Sequence, residues 1–93
     1  MIRVRFFTLL QLLLKRRELE LPYVSEERVG SLLQRVQDRI ETPFLHKLLD
    51  EQGTLRTGTI ILVNGKNIFH LQKLDTEVFD GDEVVLFPPG GGG

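Results

Sequence analysis

The sequence predicts an α+β domain in which one main helix packs on one face of a mixed sheet of about five strands. Three observations carry that expectation. Short runs with a period of two, or of continuous apolar residues, recur at both ends of the chain. A single long stretch, residues 29–40, has helical periodicity instead. Runs of strands separated by one such helix mean α+β rather than a parallel α/β sheet.

Ile2, Val4 and Phe6 alternate with Arg3, Arg5 and Phe7, which predicts a half-buried first strand. Leu9-Leu10-Gln11-Leu12-Leu13-Leu14 is leucine-rich without β-branched residues, so a short helix is expected there. Lys15-Arg16-Arg17 reads as a solvated turn. Glu18-Leu19-Glu20-Leu21 alternates again and stops at Pro22, giving a second strand paired with the first.

A polar connection over residues 23–28 leads to the helical stripe Val29, Leu32, Leu33, Val36 and Ile40. Thr42-Pro43 predicts a cap and a first helical proline. A second short helix is therefore expected through Phe44, Leu45, Leu48 and Leu49, ending before Gly53. His46, a lone histidine on that segment, is expected at the surface.

Thr59 to Val63 reads as a buried strand, closed by Asn64-Gly65, a strong two-residue hairpin signal. A return strand is expected around Asn67 to Phe69, then a longer connection over residues 70–77. Asp80-Gly81-Asp82 makes a tight turn, and Glu83 to Phe87 forms the last strand. Its carboxylates lack the alternating oxygen ligands of a calcium loop. The first strand is the natural parallel neighbour of the last. A ubiquitin-like β-grasp is the simplest fold that satisfies this order.

The bulk numbers exclude several function classes. With 41% hydrophobic and 27% charged residues, the 93-residue chain is an ordinary globule with a modest core. A net charge of −1 gives no field for nucleic acid or an anionic membrane. The chain has no cysteine, so disulfides, thiolate metal sites and cysteine nucleophiles are excluded. Any sulfur handled here must sit on something other than a thiol. Its greasiest run, Leu9 to Leu14, is far below the roughly 20 residues a bilayer needs, and the expected location is cytoplasmic.

The last ten residues are the most informative. Val84-Val85-Leu86-Phe87 stops at Pro88-Pro89, which cannot extend a sheet ladder, and Gly90 to Gly93 follow. The division expected is a globular domain over residues 1–88 and a flexible glycine tail over residues 89–93. Three readings of that tail are open: a frayed end, a linker scar, or a substrate arm that enters a narrow active site on a partner.

Arg3-Val4-Arg5-Phe6-Phe7, Val63-Asn64-Gly65, Asp80-Gly81-Asp82-Glu83-Val84 and Phe87-Pro88-Pro89 before a terminal diglycine together resemble the MoaD/ThiS sulfur-carrier family. The subgroup most resembled is the molybdopterin synthase small subunit with its archaeal relatives. The resemblance runs the length of the chain and rests on the conjunction of motifs. In the family the two residues before the final pair are usually not both glycine, as Gly90 and Gly91 are here. That looser spacer bears on which large subunit or acceptor the tail fits.

The resemblance implies a carrier and co-substrate without an acid, base or metal of its own. An E1-like adenylyltransferase of the MoeB/ThiF type would join the Gly93 carboxylate to AMP from ATP, the only cofactor implied, used by the partner. A sulfur donor would then replace AMP, leaving a thiocarboxylate for a molybdopterin synthase large subunit of the MoaE type. Gly92 and Gly93 would be the acting residues, in a tunnel without room for a β-carbon. Phe7, Val85, Phe87, Pro88, Pro89, Gly90 and Gly91 are the expected partner contacts, because aromatics on a free sheet face suggest docking. A second reading is a ubiquitin-like modifier joined through Gly93 to protein lysines, and a third is an adaptor whose tail is incidental.

Overall fold

A computed structural model describes residues 1–90. Five strands form one sheet in the order β2-β1-β5-β3-β4: β1 (Ile2–Phe6), β2 (Glu18–Leu21), β3 (Ile60–Val63), β4 (Lys66–Asn67) and β5 (Glu83–Phe87). β1 and β5 run parallel in the centre, with Val4 opposite Val84 and Phe6 opposite Leu86, and the other pairings are antiparallel. This is the mixed β-grasp sheet expected.

Alternation in β1 buries Ile2, Val4 and Phe6 completely or nearly so, facing Val84 and Leu86 of β5 and Ile61 and Val63 of β3. Helix α2 (Val29–Arg39) closes that face with Val29, Leu32, Leu33 and Val36. Ahead of its first turn, Glu27 is only 4% exposed. Burial of this carboxylate is tolerable because the Ser31 hydroxyl (2.7 Å) and the Arg35 guanidinium both donate to it. Arg35 also holds the Pro22 carbonyl at 2.8 Å, tying the helix to the end of β2.

Helix α1 (Leu9–Leu14) forms where leucine content predicts it. Leu10 and Leu14 drop into the core, and Lys15 ends the helix in the left-handed conformation (φ 56°), its N–H bonded to the Gln11 carbonyl.

The segment after α2 differs from expectation. Instead of a helix from Thr42 and Pro43 to Leu49, there is a single 3₁₀ turn, Leu45–Lys47, and Thr42 does not cap it. Gln37 supplies the cap: its side-chain oxygen accepts the Phe44 and Leu45 N–H groups at 2.9 and 3.3 Å. Helix propagation then fails because the Leu48 carbonyl is taken by the Arg56 N–H (2.8 Å) and the Thr59 hydroxyl (3.1 Å). Phe44 and Leu48 remain as buried anchors, Phe44 edge-on to Phe6 at 6.1 Å, and His46 is exposed.

The Asn64-Gly65 turn has positive φ at both residues (50° and 85°), as a two-residue type I′ hairpin requires. The return strand is shorter than expected. Asn67 turns its side-chain oxygen onto the Phe69 N–H (2.9 Å) and starts a 3₁₀ turn, Ile68–His70, so pairing stops after Asn67. Asn64 also clamps the Asp80-Gly81-Asp82 turn, donating to Asp82 at 2.8 Å and accepting the Glu83 N–H at 2.9 Å. No helix among the described residues is long and apolar enough to cross a membrane.

Candidate functional site: the tail root and the free sheet face

The parallel pairing of β1 with β5 fixes the site. Both strands finish at the same end of the sheet, and the Phe7 N–H bonds to the Leu86 carbonyl at 3.1 Å. The chain therefore leaves β5 beside the start of α1. Pro88 is buried and Pro89 half-buried, so the tail is rooted against the body before it becomes exposed at Gly90. Gly58 lies under this root with φ +91°, and a β-carbon there would sit 3.5 Å from the Pro89 side chain. Gly91, Gly92 and Gly93 lie outside the described residues.

The sheet face away from α2 divides into two halves. Towards β2 it is ionic: Arg3 pairs with Glu18 and Glu20, both at 3.6 Å, and Arg5 with Glu83 at 3.8 Å. These pairs are exposed, so each contributes at most about 1 kcal/mol. Towards the tail the face is apolar. Phe7 and Phe87 stack with ring centres 4.9 Å apart and planes 25° apart, and the Arg5 guanidinium lies 5.0 Å from the Phe7 ring centre. Both phenylalanines are half-buried.

Of the residues expected to contact a partner, Phe7, Phe87, Pro89 and Gly90 are thus brought together and accessible. Val85 faces the same side, outside the core cluster, but is buried between the rows of Arg5 and Leu62 and offers little surface. Pro88 is likewise enclosed. Ile60 and Leu62 extend the apolar half across β3, Ile60 being 41% exposed. Sequence reasoning missed these two, because a continuous apolar strand does not reveal which of its faces is covered. The register Ile60↔Phe87 and Leu62↔Val85 is what places them.

Among the described residues, the site is thus a tail root held at Pro88 and Pro89 beside the partly apolar half of the free sheet face. Comparison with known proteins decides the lineage: the family described as ThiS matches residues 4–93.

The chain belongs to the ThiS family.

Its similarities within that lineage span carriers and modifiers. It is 35% identical over 68 residues to ubiquitin-related modifier 1 of Schizosaccharomyces pombe, covering 73% of this chain and 70% of that one. With small archaeal modifier protein 3 of Haloferax volcanii it is 28% identical over 92 residues, 99% of this chain and 98% of the relative. A candidate sulfur carrier protein of Archaeoglobus fulgidus is 43% identical over 49 residues, 53% of this chain and 56% of that relative. That match spans only about half the relative's length.

Among solved structures, Urm1 from Trypanosoma brucei superposes with a TM-score of 0.80 at 29% identity, covering 99% of this chain and 94% of that one. A structure from Pyrococcus furiosus assigned as molybdopterin converting factor subunit 1 gives 0.71 at 28% identity, with 96% and 97% covered. ThiS-family membership and the ubiquitin-like β-grasp fold are therefore both established, and the chain is a member of a sulfur-carrier and ubiquitin-like modifier lineage.

Proposed function

We propose that this ThiS-family chain is a sulfur carrier whose Gly93 carboxylate is activated by an E1-like adenylyltransferase and converted to a thiocarboxylate that supplies sulfur for molybdopterin. A carboxylate is a poor electrophile at neutral pH. Attack of its oxygen on the α-phosphorus of ATP releases pyrophosphate and leaves an acyl adenylate. A sulfide-level donor then attacks the acyl carbon, and AMP departs as the leaving group. The chain supplies the acyl group and a docking body; ATP and the acid–base chemistry belong to the partner. Such ATP-driven activation belongs in the cytoplasm.

The observation that carries this reading is the position of the tail root. It leaves the sheet between α1 and Gly58, next to the half-buried Phe7–Phe87 stack. The same geometry serves a large subunit of the MoaE type as sulfur acceptor, and the Pyrococcus furiosus structure favours that customer. A second reading is supported by the modifier names of two relatives: transfer of the activated Gly93 to a protein lysine amine.

Pyrophosphate release by a cognate adenylyltransferase tests the common first step. The intact chain should support it, whereas Gly93→Val should not, with an unchanged fold by circular dichroism. Equal release with both chains would remove Gly93 from the mechanism.

A further inference from the structure

Helix α1 is apolar on both sides. Leu10 and Leu14 face the core, while Leu9, Leu12 and Leu13 are 52%, 74% and 37% exposed. A helix that is hydrophobic all round is normally a buried one, so the outer side of α1 lacks a cover among the described residues. The left-handed turn at Lys15 then sends the chain back towards β2 through Arg16 and Arg17, and the Arg17 carbonyl accepts the Phe6 N–H at 2.8 Å. Lys15, Arg16 and Arg17 are all exposed and form no ion pair among the described residues, and the adjoining Glu18 is engaged with Arg3. Gln11, Leu12 and the three cations line a surface depression of about 310 Å³.

We propose that the outer face of α1 and this cationic corner dock a protein segment that presents apolar side chains next to carboxylates. Charge complementarity sets the occupant: three cations without acids of their own ask for acidic side chains, and three leucines ask for an apolar strip beside them. Protein is favoured over lipid because a net charge of −1 gives the chain no overall attraction to an anionic membrane. The site adjoins the tail root through Phe7 and so lies next to the stacked phenylalanines, on the α1 side of them. Its occupant is the partner that receives the tail; this last step rests on the carrier reading above.

The test uses the full chain and a cognate adenylyltransferase as probe, with affinity measured by calorimetry and turnover by pyrophosphate release. Leu9→Gln/Leu12→Gln removes the apolar strip at exposed positions. Arg16→Glu/Arg17→Glu reverses the corner while leaving the Lys15 turn in place. Arg39→Glu/Lys66→Glu, exposed on other elements, makes the same change in net charge elsewhere.

Both α1-side variants should weaken binding about tenfold or more, raising KM for the chain without changing kcat or the melting midpoint. The loss from Arg16→Glu/Arg17→Glu should shrink as salt rises, whereas the loss from Leu9→Gln/Leu12→Gln should persist. Wild-type affinity in both variants would overturn the proposal, as would an equal loss in Arg39→Glu/Lys66→Glu. Absence of any wild-type binding would also overturn it. Flotation of the wild-type chain with phosphatidylserine–phosphatidylcholine vesicles, lost in Leu9→Gln/Leu12→Gln, would reassign the face to a membrane. Binding without adenylation would instead overturn the carrier reading, leaving the docking site to be judged by the same affinities.

Discussion

At the scale of single residues, Phe7 and Phe87 carry the argument for docking, because two stacked aromatic rings stand on the sheet face opposite the core, beside the tail root. Covering what remains accessible of one ring is worth about 1 kcal/mol. Phe7→Asp should therefore weaken partner binding more than it lowers stability. Calorimetric binding alongside urea unfolding separates the two, and a variant that simply unfolds would make Phe7 structural. Glu27 makes the opposite case. Its carboxylate joins Ser31 and Arg35 at the entry to α2, so Glu27→Ala should cost about 1–3 kcal/mol of stability and leave adenylation intact, measured by urea unfolding and pyrophosphate release. Phe7 was legible in the sequence because it breaks the polar side of an alternating strand. The burial of Glu27 was not, since nothing in a polar run of residues 23–28 shows which carboxylate will meet an arginine eight residues later.

At the scale of elements, the clearest lesson is the fate of the segment after α2. Thr42-Pro43 carries a helix-start signature, yet Gln37, five residues upstream of Thr42, provides the cap, and residues 56 and 59 consume the Leu48 carbonyl. Hydrogen bonds with residues outside the segment, including those through the Gln37 and Thr59 side chains, thus override a local propensity of a few tenths of a kcal/mol per residue. Gln37→Ala should release that turn. By hydrogen exchange, the Phe44 and Leu45 amides should lose protection while those of β5 keep theirs. Retained protection at both would mean that the buried Phe44 and Leu48 hold the segment unaided. β1, α1, β2, α2, β3 and β5 were legible because each has a clear period or composition. The length of β4 was not, because Asn67 spends its side chain on the Phe69 N–H, a choice that depends on the hairpin around it.

At the scale of the whole molecule, the parallel β1–β5 pair links the order of the chain to what it can do. It places the tail root, the free-face phenylalanines and α1 at one end of the sheet, and leaves the Asn64–Asp82 clamp at the other. Loosening that clamp should affect stability alone. Asn64→Ala, losing two side-chain bonds at a left-handed position, should cost about 1–3 kcal/mol by thermal unfolding, with adenylation unchanged. The fold was legible in the sequence because strand order is a linear feature, and Pro88-Pro89 marked where β5 stops. The apolar strip on β3 was not, because it exists only once β3 is set beside β5. The central claim, that Gly93 becomes a thiocarboxylate, is tested most directly by the intact mass of the chain. It would be incubated with a cognate adenylyltransferase, ATP, a sulfide donor and acceptor proteins. The account predicts a gain matching replacement of one oxygen by sulfur, located to the last residue by fragmentation. An unchanged mass, with AMP released or high-mass adducts joined through Gly93 to lysine, would contradict it, the adducts in favour of a modifier.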